Sequence, residues 1–187
     1  MDPNSIIDAT RRWVSDVVVG LNLCPFARRE LVRDRVLFKV TDAPSEEALL
    51  IVLQDELLYL QEHPEVETTL LVHPCVLQDF MVYNDFLAAA DGLLVQLELE
   101  GVYQIASFHP DYQFGGTEPE DAENFTNRSP YPMLHLLREE GLERAIAGYP
   151  GAEFIPEQNI ALMNRLGAEE MRRRLSGQMM INQPGSE

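Results

Sequence analysis

Apolar residues recur at helical spacing from Ser5 to about Leu21 (Ile6, Ile7, Val14, Val17, Val18, Leu21), and Gly20 and Asn22 supply stop signals, so the pattern predicts a first helix. A turn-prone connector carrying Cys24-Pro25 runs from Asn22 to Asp34, and Val36 to Val40 reads as a short strand ahead of the Asp42-Ala43-Pro44 turn. Ser45 is placed to cap a second helix, with Glu46 and Glu47 favourable in its first turn, that ends near Glu62 at His63-Pro64. Thr68 to Val72 is a second strand, Leu77 to Leu99 a third helix stopped at Gly101, and Val102 to Phe108 a third strand that Pro110 terminates. The stretch from Asp111 to Tyr131 has no periodicity, but Tyr112, Phe114, Phe125 and Tyr131 favour an ordered, packed loop of the functional kind. Helices from about Pro132 to Ala147 and from about Pro156 to Leu175 follow, and the tail from Gly177 to Glu187 is expected to be flexible.

The order α-β-α-β-α-β-α-α implies right-handed crossovers and an α/β fold: a small, mainly parallel, three-stranded sheet covered by helices, in one domain over residues 1–176. In a parallel sheet the carboxyl ends of the strands share one edge, where ligands of open α/β sheets bind. Those ends carry Asp42, His73 and the His109-Pro110-Asp111 run.

Composition narrows the partners. The formal charge of −17 argues against nucleic acid, whose affinity comes from neutralised phosphates, and against anionic membrane surfaces. The few cations are unevenly spread: Lys39 is the only lysine, while Arg28, Arg29, Arg33 and Arg35 crowd one stretch and can create local positive potential. The amino terminus lacks a signal-peptide pattern and no apolar run is long enough to span a bilayer, so the expected location is the cytoplasm, where Cys24 and Cys75 are free thiols.

Three histidines, His73, His109 and His135, converge on the same sheet edge, whereas His63 ends a surface helix. His135 and Glu139, four residues apart, project from one face of the helix expected there. They form a general acid/base pair, or ligands of a divalent metal completed by His109 or Asp111, or simply a helix-surface hydrogen bond. The loop offers Tyr112, Gln113, Asn127 and Arg128 as substrate-binding groups; Arg128 either clamps an anion in a bidentate fork or pairs with a nearby acid such as Glu118 or Asp121. Cys24, followed by Arg28 and Arg29, is either a thiol with depressed pKa and a candidate nucleophile, or a small buried hydrophobe beside Pro25 and Phe26. No GxGxxG, GxxxxGK[ST], HExxH, GxSxG or CxxC pattern is present, so no nucleotide cofactor, structural zinc or thioredoxin-type pair is indicated.

The blocks GLNLCPFA, ETTLLVHP, QIASFHPDYQFGGT and NRSPYPMLHLLRE resemble those of a bacterial domain-of-unknown-function family, over about Trp13 to Ala147. The resemblance implies that the marked positions are Cys24, His109, Asp111, Tyr112, Gln113, Asn127, Arg128, His135 and Glu139, and it implies no activity. The leading expectation is a small-molecule enzyme acting on an anionic metabolite through His109, Asp111, His135 and Glu139, with Cys24 as a candidate nucleophile. Alternatives are a metal- or haem-binding sensor without turnover, and an assembly scaffold.

Overall fold

The protein's structure, a computed structural model, describes residues 2–180 of the 187. Helix α1 (Pro3–Trp13) begins where the Asp2 carboxylate accepts from the backbone N–H groups of Asn4 and Ser5, with Pro3 in its first turn and Arg11 and Arg12 in its last. It passes directly into a π-helical segment, Val14–Val19. The wider turn closes tightly: a Cβ on Gly20 would stand 2.3 Å from the Asp16 carbonyl oxygen, so glycine is required there. The connector predicted after it contains a short helix, α2 (Ala27–Val32). Then come β1 (Val36–Val40), α3 (Glu46–Glu62), β2 (Thr68–Val72), α4 (Phe80–Gln96) and β3 (Tyr103–Phe108), all within a few residues of expectation.

The sheet differs from expectation. It is four-stranded and mixed, in the order β1-β2-β4-β3, with β4 (Met133–Arg138) lying antiparallel between β2 and β3. Helical spacing predicted one helix across this region; the segment MLHLLR is instead a strand, and α5 (Glu139–Ala147) starts only afterwards. A six-residue apolar run is equally compatible with a buried strand. What decides is pairing: β2 and β3 each present an edge, and β4 satisfies both. The single last helix also divides, into α6 (Ile155–Leu166) and α7 (Ala168–Met180), at Gly167 with φ +82°. Residues 177–180 of the expected tail continue α7, and the remainder lies outside the described residues.

Strand alternation splits β4 between two cores. Leu134 and Leu136 join Leu71 and Tyr103 against Leu49, Leu53 and Leu57 of α3 and Tyr83, Phe86 and Ala90 of α4. Met133 joins Phe38, Leu70 and Val72 on the opposite face, against Ile6 and Trp13 of α1, Val14 and Val17, and Met163 of α6. The result is three layers, helix on sheet on helix. Among the described residues no helix is long and apolar enough to cross a membrane.

Arg138, the last residue of β4, locks the first of these cores. Its guanidinium donates to the carbonyls of Val66 (2.9 Å), His63 (3.0 Å) and Leu60, and to the Tyr103 hydroxyl (3.1 Å), thereby closing the end of α3. Replacing it by methionine keeps the apolar stem but strands those carbonyls. Arg138→Met is expected to lower unfolding stability by on the order of 3 kcal/mol, read from urea denaturation; a loss under about 1 kcal/mol would contradict this role.

Candidate functional site

His135 occupies the middle of β4, opposite Leu70 on β2 and Ala106 on β3, on the face toward α1. Its Nε2 lies 2.6 Å from Thr68 Oγ1, which in turn lies 2.6 Å from the Leu136 carbonyl oxygen. A hydroxyl has one hydrogen, and the carbonyl can only accept, so that hydrogen belongs to Leu136 and Nε2 must carry its own proton. Nδ1 is therefore the unprotonated nitrogen. Burial holds the imidazole pKa down at about 4, so the ring is neutral near pH 7.

In front of His135 lies a cavity of about 560 Å³, a size suited to a small molecule. Its walls are mainly apolar: Trp13, Val14, Val18, Leu70, Phe108 and Leu142. The same chamber is reached by Thr68, by the Cys24-Pro25-Phe26 turn and by the first turn of α5, where Gly141 leaves room for the Glu67 carboxylate. The π-helical segment contributes Val14 and Val18, one instance of such segments being found at cavities. Glu67 and Glu30 both pair with Arg35, at 2.7 and 3.3 Å, forming a charged strut at the rim.

The cavity lies at the amino ends of β1 and β2, marked by Val36 and Thr68, not at the carboxyl edge predicted from topology. That edge is packed solid. His73 is fully buried, donates from Nδ1 to the Val76 carbonyl (3.1 Å) and stacks on Tyr83; burial holds its pKa at about 4. His109 is equally buried and has both nitrogens occupied: Nε2 donates to the Leu77 carbonyl (3.1 Å) and Nδ1 accepts from the Asp111 N–H (3.0 Å). Leu77 has φ +58°, a costly conformation for a bulky residue, and His109 helps hold it.

The loop residues likewise serve the loop. Arg128 donates to the carbonyls of Tyr112 (3.0 Å) and Pro119 (2.7 Å) and lies 4.6 Å from the Phe125 ring centre, and it forms no salt bridge with an acid among the described residues. Asn127 donates to the Ser107 carbonyl, Gln113 to that of Thr117, and the Tyr112 ring packs between Phe80 and Phe114. At the centre is Asn124, fully buried, accepting from Phe114 N–H and Thr117 and donating to Glu118. Of the predicted site residues, Cys24 and His135 thus line the cavity; His109, Asp111, Tyr112, Gln113, Asn127, Arg128 and Glu139 do not. Glu139 borders a separate depression with Gln104 and Ile105, on the α4 side. The His135–Glu139 pairing does not form: His135 sits within β4 facing the cavity, whereas Glu139 lies past the strand's end, as the first residue of α5, and borders the other depression. Among the described residues no three His, Cys, Asp or Glu side chains are grouped to hold a metal, so the trio built on His135, Glu139 and His109 or Asp111 does not form.

Of the two alternatives for Cys24, the depressed thiol pKa is the one not met. Burial raises its pKa, only partly offset by the N–H groups of Phe26 and Ala27, while Arg28 and Arg29 extend into solvent. Thr68 and Trp13 were not visible as site residues in the sequence. Thr68 and Thr69 open a strand that is otherwise apolar, and those two hydroxyls were the available signal.

A three-layer α/β protein with one apolar chamber and a neutral, oriented histidine is the class that this geometry defines. The chain belongs to the family described as protein of unknown function, DUF1415, whose model matches residues 5–173. No curated protein and no solved structure matches it.

His73 and His135 make stability pH-dependent. An unfolded histidine titrates near 6.5, while these two stay neutral in the fold until about pH 4. Between those values the unfolded chain binds the extra protons, so stability falls as pH drops from about 6.5 to 4, by up to about 3 kcal/mol per histidine. Urea midpoints should be lower at pH 5 than at pH 7, and His73→Gln should reduce the difference; an unchanged difference would contradict the assignment.

Proposed function

We propose that the protein is a small-molecule enzyme whose substrate occupies the cavity and exchanges a proton with Nδ1 of His135. The observation that carries this reading is the Leu136–Thr68–His135 relay, which fixes the tautomer and leaves Nδ1 with no hydrogen-bond partner among the described residues, beside a chamber of ligand size. Orienting one imidazole nitrogen so that the other meets the substrate is the arrangement of a general base. A depressed pKa keeps that base unprotonated near neutrality, and a substrate that brings negative charge raises its basicity on binding.

Cys24 has a supporting role in this reading, shaping the wall; its raised pKa disfavours attack by thiolate. A metal- or haem-binding sensor is the second reading, because Cys24 and His135 are two donors on one cavity. Elemental analysis and the absorption spectrum of freshly purified protein separate it from the first.

The test is a metabolite screen by thermal shift, followed by turnover assays on the compounds that stabilise the protein. His135→Gln should fold and bind but lose turnover by about 10²–10⁴-fold in kcat, and Thr68→Val, which frees the tautomer, should lose less. A His135→Gln protein with parental kcat would sink the proposal.

A further inference from the structure

Building on this cavity reading, we infer that the substrate is an amphipathic anion: an apolar body within the chamber and a carboxylate or phosphate head at its mouth, met by Arg29 and Arg144. Four arginines line the cavity, against the two acids Glu30 and Glu67. Two of the four are occupied. Arg138 is saturated by carbonyls and the Tyr103 hydroxyl, and Arg35 by Glu30, Glu67 and the carbonyls of Pro64 and Glu65.

The other two are only partly occupied. Arg29 touches Glu30 only through Nε, at 3.3 Å, and Arg144 touches Glu140 only through Nη1, at 2.7 Å. Their side chains are 62% and 68% exposed, which places both at the opening, one from α2 and one from α5. Among the described residues their remaining donors have no acceptor, so each keeps part of a planar fork suited to carboxylate or phosphate oxygens. In a chain of net charge −17 this is a local excess of positive charge, and it sits above walls that are mainly apolar. A wholly polar anion would lose hydration inside those walls without replacement, and a wholly apolar molecule would leave the two forks unused.

Trp13 supplies the readout. It is the sole tryptophan, 2% exposed and part of the cavity wall, so its emission reports occupancy. Hexanoate, octanoate, 1-octanol and octylamine are titrated against the full chain below their micelle concentrations. Saturable emission changes are expected for octanoate, with affinity about tenfold above that of 1-octanol and about fourfold higher per methylene than hexanoate. The Arg29→Gln/Arg144→Gln protein, altered only at exposed positions, should bind octanoate about tenfold more weakly and 1-octanol unchanged. Equal affinity of octanoate and 1-octanol, tighter binding of octylamine, an unaffected double variant, or no emission change with any of the four would overturn the inference. These failures are distinct from that of the catalytic reading, which stands or falls on His135→Gln turnover.

Discussion

The insertion of β4 between two strands running the other way constrains everything around it. Strand alternation sends Leu134, Leu136 and Arg138 into the layer with α3 and α4, and Met133, His135 and Leu137 toward α1. A histidine in the middle of a sheet needs a partner, and register supplies one. Thr68, across from Leu137 on β2, reaches both the His135 ring and the Leu136 carbonyl. One hydroxyl therefore ties two strands together, satisfies a buried ring nitrogen and decides which nitrogen meets the cavity.

The same insertion explains why the chamber is where it is. Because β4 is antiparallel, its carboxyl end and the start of α5 fall beside the amino ends of β1 and β2. Helix α5 and the Cys24 turn cover that end without filling it, leaving the apolar space between them. At the opposite edge, where parallel sheets ordinarily bind ligands, Phe80, Tyr83, His73 and His109 pack ring to ring and Tyr83 bridges the Met133 carbonyl and the Phe108 N–H. Those polar groups stabilise the start of the long loop, which Asn124 and Arg128 then organise from within.

Local signals were legible where physics is local. Strands β1 and β2 and helix α3 follow directly from turn residues, the Ser45 cap and hydrophobic periodicity. The ordered character of the loop was readable from its aromatic content, and two members of the cavity, Cys24 and His135, were among the expected site residues. What was not legible depends on partners distant in sequence. Nothing within MLHLLR says that β2 and β3 flank it, so His135 and Glu139 read as helical neighbours. That His109 bonds to the Leu77 carbonyl and Arg128 to the Pro119 carbonyl was not legible either, because the residue types alone do not name such distant partners. Arg29 was visible as part of a basic stretch, but Arg144, on the far side of the opening, required the fold.

The most direct test of this account is nitrogen-15 NMR of the imidazoles in the intact protein. The geometry requires His135 to be the neutral tautomer with hydrogen on Nε2 and unprotonated Nδ1, with a titration midpoint at about 4, and the tautomer preference to be lost in Thr68→Val. A hydrogen on Nδ1, or a His135 midpoint near 6.5 in the parent protein, would contradict it.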